Sequence, residues 1–136
     1  MSNWTNYNRA ISCTEGGGFN FEPSNGKMGF QCYFSGGYHG VVSTTTLANL
    51  SSGWHLFTGT CDGTVAKIYI DGELDATGST YTKGQITYPA NLQLAQEAYS
   101  VSGGSFSGGS LSDVRIYSVA LSAAEVKELY DMGRLS

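Results

Sequence analysis

The sequence predicts an antiparallel all-β fold, a sandwich or barrel, closed by one short C-terminal helix. Three observations carry this. Glycine-containing turn signals recur at short intervals: Gly16-Gly17-Gly18, Asn25-Gly26, Gly36-Gly37, Asp62-Gly63, Asp71-Gly72 and Gly103-Gly104. Between them lie short apolar runs that alternate with polar residues, as half-buried strands do. The period changes to a helical one only near the end of the chain. The 136 residues amount to one domain, 1–136, large enough to build a core without a metal or a disulfide.

The first hairpin is centred on Asn25-Gly26, a pair suited to the positive φ angles of a type I′ turn. This register puts Phe19, Phe21, Met28, Phe30, Cys32 and Phe34 on one face, with Asn20, Glu22, Gln31 and Tyr33 on the other. A second hairpin is expected around Asp62-Gly63, pairing 54–61 with 64–70 and placing Phe57 opposite Ile68 and Gly59 opposite Ala66. Its other face carries Trp54, Leu56, Thr58, Lys67 and Tyr69. A one-residue slip would exchange the two faces. At the end, Ser122-Ala-Ala-Glu125 forms a capping box. Leu121, Val126, Leu129 and Tyr130 have helical spacing, and Gly133 is placed for a left-handed C-terminal cap.

Composition narrows the function classes. Charged residues are 13% of the chain and the net charge is −4, with the basic residues scattered rather than clustered. That pattern disfavours phosphate neutralisation and hence nucleic-acid binding. No apolar run approaches the length of a membrane span, and the first residues lack a charged and apolar leader. Cys13, Cys32 and Cys61 have no C-x-x-C spacing, and His39 and His55 give no zinc pattern. The three cysteines read as small buried hydrophobes, and no disulfide within the chain is expected.

Glycoside hydrolysis needs a pair of carboxylates facing one cleft. No Glu-x-Asp-x-x-Glu arrangement is present, and the acidic cluster from Asp71 to Asp75 reads as a solvated turn. There is no G-x-S-x-G, and the glycines at 16–18 precede a strand rather than a helix. Calcium needs six to eight oxygens, and no local Asp-x-Asp loop supplies them. A site assembled from separate loops, drawing on Asp62, Asp71 or Asp113, stays open.

The run Gly53-Trp54-His55-Leu56-Phe57-Thr58-Gly59-Thr60-Cys61-Asp62-Gly63, followed by Ile68-Tyr69-Ile70-Asp71-Gly72, resembles the laminin-G-like, concanavalin A-like jelly-roll family. The stretch Asp113-Val114-Arg115-Ile116-Tyr117, then Ala120-Leu121-Ser122 and Glu125-Val126, is similar to the end of the same family. The resemblance implies a two-sheet antiparallel sandwich, often sugar-binding and in some members holding one calcium. It also implies that an apolar strand preceding the Trp4 region is missing. Either the chain is then expected to be a piece of a longer bacterial or phage protein, extracellular, cell-surface or virion-associated, or another chain supplies that strand. The edge near 111–117 would lack a partner, inviting self-association or a strand from another chain.

Sugar recognition calls for aromatic faces beside amides and acids. The candidate ligand-binding residues are Asn20, Gln31, Tyr33, Trp54 and Tyr69, with Tyr38, His39, Gln96, Glu97 and Tyr99 as loop alternatives. The resemblance gives Trp54 a packing role as well. The expected function is a non-catalytic carbohydrate- or surface-binding module. A structural domain of a virion or surface protein, with no sugar ligand, is the alternative.

Overall fold

The computed structural model describes residues 9–13, 18–34, 37–82, 84, 91–95 and 109–134. These residues form two antiparallel sheets and one helix, α1 (Ala123–Gly133). The strands are β1 (Ile11–Ser12), β2 (Phe19–Ser24), β3 (Lys27–Phe34), β4 (Gly37–Thr46), β5 (Phe57–Cys61), β6 (Ala66–Ile70), β7 (Glu73–Thr77) and β8 (Gln93–Leu94). The larger sheet has the order β4-β3-β2-β1-β8 and the smaller one β5-β6-β7. Met28, Phe30, Cys32, Phe34 and Val41 of the first sheet meet Ala66 and Ile68 of the second in one buried cluster.

The first hairpin forms in the expected register. Asn25 and Gly26 have φ of 49° and 76°, the turn a right-twisted two-residue hairpin needs. Phe21 then faces Phe30, and their rings pack 4.9 Å apart. The same geometry recurs at Asp71-Gly72, with φ of 52° and 82°, joining β6 to β7.

The second hairpin departs from expectation by two residues. Phe57 pairs with Ile70, Gly59 with Ile68 and Cys61 with Ala66. The cause is Asp62, whose Oδ1 accepts from Thr64 N at 2.8 Å, Thr64 Oγ1 at 2.7 Å and Val65 N at 2.9 Å. This local ring of bonds widens the turn to Asp62–Val65. A shift of two leaves every side chain on its expected face.

Ser122 caps α1. Its hydroxyl accepts from Glu125 N at 3.3 Å, and Glu125 Oε2 accepts from Ser122 N at 2.7 Å. Gly133 is not the left-handed cap expected. It is the last helical residue, and Arg134 closes the helix with φ −76° and ψ −17°. The segment 111–117 also differs from expectation, since it forms no strand among the described residues. Asp113 sits at φ 53°, which interrupts an extended run, and Arg115 holds it there with bonds of 2.8 and 2.9 Å to its carboxylate. No helix of the described residues is long and apolar enough to cross a membrane.

Candidate binding site

The larger sheet turns one face to the core, so the alternate residues of its strands form a second, outer face. Across that face run three rows: Glu22, Gly29 and Val42; Asn20, Gln31 and Gly40; and Tyr33 beside Tyr38. A shallow groove of about 250 Å³ lies here, bounded by Glu22, Gly29, Gln31, Gly40, Val41 and Val42. The glycines make it. A Cβ at Gly40 would come within 2.8 Å of Gln31 Cγ, and one at Gly29 within 3.1 Å of Glu22 O. Tyr33 and Tyr38 stand at the end of the face with rings edge-on, centroids 5.0 Å apart. Tyr38 is half-exposed at 48%. Glu22 Oε2 accepts from Arg9 Nε at 3.2 Å, which fixes its carboxylate at the groove wall.

Of the five residues singled out from sequence, Asn20, Gln31 and Tyr33 share this face. Asn20 is 1% exposed, donates from Nδ2 to Glu22 Oε2 at 3.5 Å, and has no hydrogen-bond partner at Oδ1. It supports Glu22 from below rather than offering its own surface. Tyr69 is 2% exposed, on the side of β6 opposite Ile68 and Ile70, and outside the inter-sheet cluster. Its ring has no open face for a ligand. Val126 of α1 is likewise buried outside that cluster, and α1 lies along β7 with Lys127 Nζ 3.4 Å from Glu73.

Trp54 lies elsewhere and is 70% exposed, so it is no packing residue here. It stands on the wall of a larger cleft of about 770 Å³ between the 50–61 stretch and the 109–121 segment. Phe21, Met28, Phe30 and Phe57 form part of its lining. Its one carboxylate among the described lining residues is Asp113, already clamped by Arg115.

Tyr38 and His39, expected in a loop, belong to β4. His39 Nε2 donates to Phe34 O at 2.9 Å, and its ring packs 3.9 Å from Tyr81 and 4.2 Å from Phe34. Gln96, Glu97 and Tyr99 lie outside the described residues. The groove's two glycines went unnoticed in the sequence. Their signal was a glycine inside each of two strand patterns, which marks close backbone approach.

The acids considered for calcium are occupied with protein donors. Asp62 holds its own turn, and the bonds from Thr64 and Val65 keep its carboxyl below the usual range. Asp71 accepts from His55 Nδ1 at 2.7 Å and Leu56 N at 3.0 Å. Asp113 binds Arg115. Among the described residues no three His, Cys, Asp or Glu side chains gather where a metal could bind. Asp75 is no solvated turn residue either, for its carboxylate accepts from the backbone N–H groups of Thr44 and Thr45 on β4.

Comparison with solved structures finds the binding domain of Paraclostridial Mosquitocidal Protein 1, at 15% identity and a TM-score of 0.58. The match covers 92% of this chain and 31% of that one, so the chain spans about a third of its length. An S-layer domain-containing protein from Clostridium thermocellum matches at 23% identity and a TM-score of 0.42, over 85% of this chain and 58% of that one. A search of curated protein sequences finds no match. At these identities the likeness is one of fold. The model of one protein family matches residues 1–127, and by that match the chain belongs to the concanavalin A-like lectin/glucanases superfamily.

Proposed function

We propose that the chain is a non-catalytic binding module for a glycan or similar polymer, and that the ligand lies across the outer face of the larger sheet. The observation that carries this reading is the groove over Gly29 and Gly40, with Glu22 and Gln31 at its sides and the Tyr33–Tyr38 pair one row further along the same face. A pyranose ring offers an apolar face to a tyrosine and hydroxyls to an amide and a carboxylate. Asn20 takes part by holding Glu22. The superfamily and the binding domain of the mosquitocidal protein support a binding role, and the described residues lining the cleft include no pair of carboxylates such as a glycosidase uses. The parent would be a larger bacterial or phage surface protein. A glycan array probed with the full chain, with and without EDTA, tests the reading and the need for calcium together. Retention of particular glycans supports it, and an array without specific signal contradicts it.

The alternative, an assembly domain, draws on a different observation. Trp54, Ile116 and Val119 are 70%, 54% and 68% exposed around the cleft, and among the described residues β5 is the edge strand beside it. A strand from another chain or a second copy, added to β5, would cover this surface. Sedimentation at micromolar concentration tests it: a dimer or larger species is expected, and a strict monomer counts against it.

A further inference from the structure

Cys32 and Cys61 belong to different sheets, yet they face each other. Phe30 of β3 lies directly against Gly59 of β5, where any Cβ would overlap its ring. Two residues further along each strand, on the same faces, stand Cys32 and Cys61. Their side chains share a hydrogen bond, and both line the cleft. Cys32 is fully buried, whereas Cys61 is partly exposed. All three cysteines are thiols in this structure.

We propose that Cys32 and Cys61 form a disulfide joining the two sheets when the protein meets a small-molecule disulfide such as oxidised glutathione. Cys61 is the attacking group. It lines the cleft and is partly exposed, and the hydrogen bond from Cys32 lowers its pKa to about 7, which raises the thiolate fraction. The Cys61 thiolate attacks one sulfur of oxidised glutathione, that S–S bond breaks, and one glutathione leaves as its thiolate. A mixed disulfide now sits on Cys61. Cys32 gives up its proton, its sulfur attacks the Cys61 sulfur, and the second glutathione departs. Two protein thiols are oxidised to one disulfide, and one glutathione disulfide is reduced to two thiols. The bond would close the chain from β3 to β5, restricting the unfolded state while pinning the sheets at the cleft floor. The structure itself agrees with the expectation of three free thiols, the bond forming only under oxidation, and the proposal is independent of the glycan reading.

The test incubates the reduced full chain with oxidised glutathione and counts thiols after unfolding. The count should fall from three to one. Tryptic peptide 28–67 holds both residues, with Cys13 outside it, so it should lose two hydrogens and resist alkylation until reduced. The thermal midpoint should rise by roughly 10 °C and return with dithiothreitol. Cys61→Ser should show two thiols before and after, with no rise, while Cys13→Ser should still form the link. A count that stays at three, a stable glutathione adduct on Cys61 without a cross-link, or a link through Cys13 would overturn the proposal.

Discussion

Gly59 on β5 lies beneath the Phe30 ring on β3, nearer than a side chain at position 59 could tolerate. One glycine therefore sets the distance between the two sheets at this point. Gly59→Ala is expected to destabilise the fold by about 1–3 kcal/mol, the usual cost of overpacking. Phe30→Leu in the same chain should recover part of that loss. Urea unfolding of the single and double variants checks it, and additive losses would show that the contact is relaxed elsewhere.

Asp75 ties β7 to β4 across the sandwich, through the backbone N–H groups of Thr44 and Thr45 and the Thr45 hydroxyl. Asp75→Ala leaves these donors without their charged acceptor and should cost about 1.5–3 kcal/mol. Hydrogen exchange should show earlier opening at Thr44 and Thr45. Unchanged exchange there would remove the latch from the account.

The His55 ring meets an acceptor at each nitrogen, Ser51 O at 2.9 Å and Asp71 Oδ2 at 2.7 Å. Only the imidazolium donates to both, so the Ser51 carbonyl first, and Asp71 with it, raises the His55 pKa above 6.5. A raised folded value means that the stabilisation is complete below about pH 6.5 and is lost as pH climbs through the folded pKa. Cys61, near pH 7, titrates in the same window with the opposite sign, so the comparison belongs in a Cys61→Ser background. There the urea midpoint should fall between about pH 6 and pH 8, and His55→Gln should flatten that fall. Parallel profiles for the two proteins would contradict the prediction.

The local chemistry of the fold was legible where a few adjacent residues decide it. Asn25-Gly26 fixed one register outright, and Ser122 with Glu125 fixed the start of α1. Misreadings arose where a side chain acts beyond its neighbours. Asp62 widens its turn by bonding forward, which dipeptide preference does not reveal, and Asp75 reaches β4 from thirty residues away. Alternation assigned Tyr69 to the outer side of β6 correctly, but not its burial, which depends on what packs over that side. The binding face was partly legible for the same reason. Gln31 and Tyr33 follow from strand parity, whereas the pairing of Tyr33 with Tyr38 needs the β3–β4 register.

Trp54 and Tyr38 separate the two surfaces, because they lie on different ones. A glycan held on the sheet face should bind Trp54→Ala about as well as the native chain. Loss of Trp54 should instead disperse any oligomer built on the cleft. Sedimentation and glycan binding of this one variant distinguish the surfaces, and loss of glycan binding with Trp54 would move the ligand to the cleft.

The most direct measurement is calorimetric titration of the native chain and Tyr38→Ala with the best glycan from the array. Tyr38 is exposed, so its loss should leave the thermal midpoint nearly unchanged. The account predicts binding weakened by about 1–3 kcal/mol, from loss of one stacking ring. Equal affinities for the two proteins would contradict a ligand site on this face.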